Sequence, residues 1–259
     1  MNLLRSTWAT ATFEVQRSLS AQRLMVASVL AGFPPVMVTV IGLSGGEIPL
    51  TDLLIIVLVS IVGLLAQMLW ATSNVYAELE GKSWIFLASR PQGRISLFLG
   101  KYNAAVGFSF AVCFIAISAC LAIRTYLFFS EINPILIWLG MIGSMLTACL
   151  VYSAVFSVIG TIFKKRAMVF AAGYIVLSEI ILPDVPAIIG RLSARFHLQA
   201  IAAKWIGWFH WIPEENYAIL YGQFSLGFHL ACVGCATVAL LITGCIIVTR
   251  REYVTSEEV

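Results

Sequence analysis

Charge is scarce in this sequence. Asp, Glu, Lys and Arg make up 11% of its 259 residues and hydrophobic residues 60%, where a soluble domain carries about a quarter charged residues. That balance excludes an ordinary soluble domain, because water is a poor solvent for most of such a surface. A disulfide framework is missing too. The six cysteines, at 113, 120, 149, 232, 235 and 245, all fall in apolar stretches, where a free thiol behaves as a small hydrophobe. The order Arg5, Glu14, Arg17, Arg23 ahead of any apolar run is wrong for a cleavable signal peptide, so the first span is expected to stay in the mature protein. Neither an H-E-x-x-H motif nor a paired-carboxylate cluster occurs, and His197, His210 and His229 lie far apart. No catalytic residue is assigned, and the chain is not expected to be an enzyme.

One stretch imitates nucleotide chemistry. Glu80 to Pro91 reads EGKSWIFLASRP, and Gly81-Lys82-Ser83 is how a phosphate-binding loop ends. Such a loop needs G-x-x-x-x-G-K-[ST] after a buried strand, so that its backbone can wrap the phosphates. Tyr76 stands where the first Gly is required, and an apolar span precedes it. The stretch lacks a phosphate cradle.

What the sequence has in abundance is long apolar runs. Six reach the roughly 20 residues needed to cross a hydrocarbon core, at about 24–44, 52–74, 102–124, 134–162, 167–189 and 226–249. The expected fold is an all-α membrane protein forming a single transmembrane domain over residues 1–259. Pro34-Pro35 is expected to kink or interrupt the first span. With the N-terminus inside, the cytoplasmic gaps hold Arg5, Arg17, Arg23, Lys82, Arg90, Arg94, Lys101, Lys164, Lys165, Arg166, Arg250 and Arg251, twelve of the sixteen basic residues. The excess of positive charge on that side places both termini in the cytoplasm.

Residues 3–22 carry Leu4, Trp8, Ala11, Val15 and Leu19 at spacings of three and four, with Arg5, Glu14, Gln16 and Arg17 off that line. This pattern predicts an amphipathic helix in the membrane interface; a soluble cytoplasmic helix is the alternative. Residues 190–225 are the most aromatic part of the chain, with Phe196, Trp205, Trp208, Phe209, Trp211, Tyr217 and Tyr221 around Pro213-Glu214-Glu215. Short helices in the outer leaflet, between spans five and six, are expected there.

The cytoplasmic segment 76–101 is charged at both ends, apolar over Trp84 to Leu87, and broken by Pro91 and Gly93. It reads as a docking element for another protein, or else as a connector on the membrane surface. Its run E-G-K-S-W-x-x-L-x-S-x-P-x-x-R, followed by Gly100-Lys101, resembles the segment between spans two and three of type-2 ATP-binding cassette (ABC) permeases. These are the six-span membrane subunits of bacterial ABC exporters. The matching residues are Glu78, Glu80, Gly81, Ser83, Leu87, Ser89, Pro91, Arg94, Gly100 and Lys101, with one more residue between Gly81 and Pro91 than in the commonest form. The order of interfacial helix, six spans and outer amphipathic segment is similar as well.

The resemblance implies a coupling helix seated in a cleft of a separate ATPase subunit, with Glu78, Glu80, Gly81, Ser83, Trp84, Leu87, Pro91 and Arg94 at that contact. It implies a translocation path formed with a second permease copy, identical or related, in a bacterial cytoplasmic (inner) membrane. ATP and Mg would sit on the ATPase, with no cofactor in this chain. The expected partners are that ATPase, the second copy and the lipid bilayer, and no nucleic acid. A non-transporting scaffold that recruits a cytoplasmic protein is the alternative.

Three further features have two readings each. Cys232 and Cys235 share a helix face, as soft-metal ligands or as small packing residues; packing is favoured and no metal is assigned. Glu179 is the one acidic residue well inside an apolar span, a costly place for a carboxylate. It lines the substrate path, or pairs with Arg124 or Arg191, or lies near the outer interface ahead of Pro183. Gln67 is a candidate for the same path or an interhelical hydrogen bonder.

Overall fold

The computed structural model describes residues 3–44, 48–73, 78, 92–127, 134–163, 166–181, 193–206 and 224–251. All regular structure among them is helical. The helices are α1 (Leu3–Ser18), α2 (Ala21–Leu43), α3 (Ile48–Ala71), α4 (Gly93–Leu127), α5 (Pro134–Ile162), α6 (Ala167–Ile175), α7 (Ala194–Ile206) and α8 (Leu226–Arg250). A π-helical turn, Val176–Ile181, continues α6.

Four helices, α2, α4, α5 and α8, are long and apolar enough to cross a membrane, and shorter apolar helical stretches run over Ile55–Ala71 and Ala167–Glu179. The chain is built as a membrane-embedded protein. Helix α5 coincides with the fourth expected span. Helix α2 is not interrupted at Pro34-Pro35: each proline removes one backbone donor, and neighbouring helices in a bundle tolerate that loss.

Helix α4 is the central element, packed against α1, α2, α3, α5 and α8. Its buried face is built from small residues, among them Gly100, Ala104, Ala105, Ser109, Cys113, Ala116 and Cys120, which let neighbouring backbones come close. Its Val112 packs with Val62, Ala66, Trp70, Tyr152 and Phe156 in one apolar cluster, and its Ile117 with Val38, Ile55, Val59 and Met141 in a second. Trp70 stacks on Phe108, with ring centroids 5.8 Å apart.

At 35 residues, α4 begins nine residues ahead of the expected third span. Arg94 and Lys101, which read as loop charges, belong to the helix. They are accommodated because other elements supply partners. The Arg94 Nη1 donates to the Thr249 carbonyl at 3.1 Å, and Arg251 Nη1 donates to the carbonyls of Thr161 and Ile162. The start of α4 and the ends of α5 and α8 therefore share one end of the bundle. Helix α1 joins them there.

Candidate functional site

Helix α1 meets the bundle through its less apolar side. Thr7, Ala11, Glu14 and Ser18, spaced by three and four, are its buried residues, while Leu4, Trp8 and Leu19 are exposed. Leu4, Trp8, Val15 and Leu19 of the apolar stripe thus face outward while its Ala11 is buried, and the adjacent polar face lies on α4. Gly100 sets the distance of approach. A Cβ there would stand 2.6 Å from the Thr10 Cβ and 2.9 Å from the Thr7 carbonyl oxygen.

That close approach assembles four charged side chains from three segments. Lys101 Nζ on α4 lies 2.8 Å from Glu78 Oε1 and 3.2 Å from Glu14 Oε1. Arg17 Nη1 lies 2.9 Å from the same Glu78 oxygen and 3.6 Å from Glu14 Oε1. Lys101, Glu14 and Glu78 are buried, and Arg17 is half-exposed. Two cations thus meet two carboxylates. Removing any one of the three buried members, Lys101, Glu14 or Glu78, leaves a buried charge uncompensated, whereas solvent screens the half-exposed Arg17. This joint ties α1 to α4 through Glu78, which lies beyond the end of α3.

Of the residues assigned to an ATPase contact, Glu78 and Arg94 fall among the described residues, and both anchor on helices of the bundle end. Glu80, Gly81, Ser83, Trp84, Leu87 and Pro91 lie outside the described residues. Gln67 is buried between helices, donating from Nε2 to Cys149 Sγ at 3.4 Å. Its Oε1 has no partner among the described residues. Nothing described places it on a path.

Glu179 is buried inside the π-helical turn. Its carboxylate accepts from Ser178 Oγ at 3.3 Å and lies beside Tyr152, and its backbone carbonyl accepts from Arg195 Nη1. Tyr152 lies past the middle of α5, so the carboxylate is held among helices. Among the described residues the arginine beside it is Arg195 rather than the expected Arg124; Arg191, the other expected partner, lies outside the described residues. A π turn re-aims side chains relative to an α-helical register, and α7 supplies a cation from the segment read as an outer-leaflet element.

Helix α7 is built into the bundle rather than laid over it. Ala200, Ile201 and Ala203 are buried, and Gly143 of α5 accepts the Trp205 ring so closely that a Cβ there would meet it at 2.7 Å. Lys204 Nζ donates to the Phe224 carbonyl, and the Nδ1 atoms of His197 and His229 lie 2.9 Å apart. Cys232 is half-buried and Cys235 exposed. Among the described residues no three His, Cys, Asp or Glu side chains gather as a metal site needs.

Sequence reasoning quoted Lys101 without pairing it, and left Glu14 as part of a polar face. The signal available was the spacing of Thr7, Ala11, Glu14 and Ser18, a second helical stripe beside the apolar one. His197 and His229 are 32 residues apart and carried no local signal. No family model matches the chain, and no curated protein is significantly similar to it.

Proposed function

We propose that this chain is the membrane-spanning subunit of an ABC-type exporter. In this reading α2, α3, α4, α5, α6 and α8 supply six spans, α1 lies in the cytoplasmic interface, and α7 belongs to an outer-leaflet segment. Two copies form the translocation path in a bacterial inner membrane, with both termini cytoplasmic. A separate ATPase binds the segment 76–101 and drives the change; this chain performs no covalent step.

The observation that carries this reading is the buried joint of Glu14, Arg17, Glu78 and Lys101. It links Glu78, at the start of the segment that resembles a coupling element, to the central helix, so a displacement of Glu78 acts directly on Lys101. Reconstitution of the chain with its ATPase tests it. Glu80→Ala and Trp84→Ala are expected to lower ATP turnover of the complex while both subunits remain folded. Turnover insensitive to both substitutions overturns the coupling role, and is what a scaffold would give.

A further inference from the structure

Among the described residues the corner between α1 and α2 holds more positive charge than it neutralises. Arg17, Arg23 and Lys101 line one recess with Glu14, and Trp70 forms part of its wall. Lys101 is committed to Glu14 and Glu78, and Arg17 reaches the same two carboxylates through Nη1 alone. Arg23, half-buried, donates from Nη1 to Ser18 Oγ at 2.9 Å and makes no ion pair among the described residues. Three cations thus face two carboxylates. A guanidinium carries five N–H donors, so the Nη2 and Nε donors of both arginines are left for a ligand, and Arg17 is open enough to offer them at 41% side-chain exposure.

An apolar track begins two residues beyond Arg23. Met25, Val29, Phe33, Val36 and Val40 are all exposed and follow one another at spacings of three and four along one side of α2. Trp8 of α1 and Leu19, one residue past its end, are exposed as well. An unneutralised cation heading a continuous apolar stripe matches a molecule with an anionic head and long hydrocarbon chains.

We propose that the α1–α2 corner binds a membrane phospholipid, its phosphate held by Arg17 and Arg23 and its acyl chains lying along the Met25–Val40 face of α2. The lipid phosphate supplies the negative charge that Arg23, beside the balanced four-ion joint, does not find among the described residues. It also fixes the depth of α1 in the interface.

Native mass spectrometry of the full chain in neutral detergent reads this binding on the chain alone, independent of any ATPase. Phosphatidylglycerol is expected to bind, and diacylglycerol with the same chains to bind at least about tenfold more weakly, since charge-assisted hydrogen bonds are lost with the phosphate. Arg23→Gln is expected to weaken phosphatidylglycerol about five- to tenfold, and Arg5→Gln, on the exposed side of α1, to leave it unchanged. Arg23→Lys keeps the charge with two fewer donors and carries the test should Arg23→Gln fail to fold; about a two- to threefold weakening is expected. Equal binding by the Arg23 variants, equal loss with Arg5→Gln, or displacement of the lipid by inorganic phosphate at matched concentration overturns the proposal. The last outcome marks a free-anion site.

Discussion

The two ends of this bundle settle buried polarity in different ways. At the α1 end cations meet carboxylates: Lys101 and Arg17 close on Glu14 and Glu78. Around α7 cations meet carbonyls: Arg195 donates to Glu179, Lys204 to Phe224, and two imidazoles bond each other. In the first arrangement the three buried ions depend on one another, because each is stabilised chiefly by its opposite charges. The second is a set of separate hydrogen bonds, each worth about 1–3 kcal/mol and each able to be lost alone. A joint that must transmit displacement is better served by the first kind, and a segment that repacks is better served by the second.

The largest effect should follow from emptying the centre of the joint. Lys101→Met leaves Glu14 and Glu78 buried against a single half-exposed arginine, and is expected to destabilise the protein by about 3–5 kcal/mol, seen as a lower melting temperature in detergent. Adding Glu14→Leu and Glu78→Leu should recover much of that loss; a triple variant as unstable as Lys101→Met breaks the comparison.

Gly100→Ala comes next. Its methyl group must displace Thr10 or the Thr7 backbone, at about 1–3 kcal/mol, and limited proteolysis should release α1 faster than in the unsubstituted protein. Helix α7 should respond less. His229→Leu gives up one neutral hydrogen bond but also removes an Nε2 that is buried without a partner, so stability should change by within about 1 kcal/mol in the same melting assay. The smallest effect is expected for Arg17→Gln. Its side chain is 41% exposed, solvent screens its charge, and a loss no greater than about 1 kcal/mol is expected. A larger loss there would place Arg17, not Lys101, at the centre of the joint.

Much of the helical layout was legible from apolar run length alone, because a hydrocarbon core imposes that length on any helix crossing it. Helix α5 ends where the run ends, and α8 within one residue of it. The start of α4 was not legible, since Arg94 and Lys101 look like loop charges until Thr249, Glu14 and Glu78 are brought to them from distant parts of the chain. The site was legible in part for the same reason. Glu78 and Arg94 stood out by resemblance, but a buried ion cluster is a property of three segments meeting, and no local spacing records it. The π turn that carries Glu179 has no apolar periodicity of its own to betray it, so finding Arg195 rather than Arg124 beside it needed the fold.

Whether the α1 end receives a stroke from outside is the claim on which the functional account rests. Purifying the tagged full chain from its native membrane in mild detergent, with the accompanying proteins quantified by mass spectrometry, tests it most directly. The account predicts an ABC ATPase subunit recovered at near one copy per chain, with recovery reduced when Glu80→Ala and Trp84→Ala are combined. Recovery of the intact chain with no ATPase subunit would contradict it.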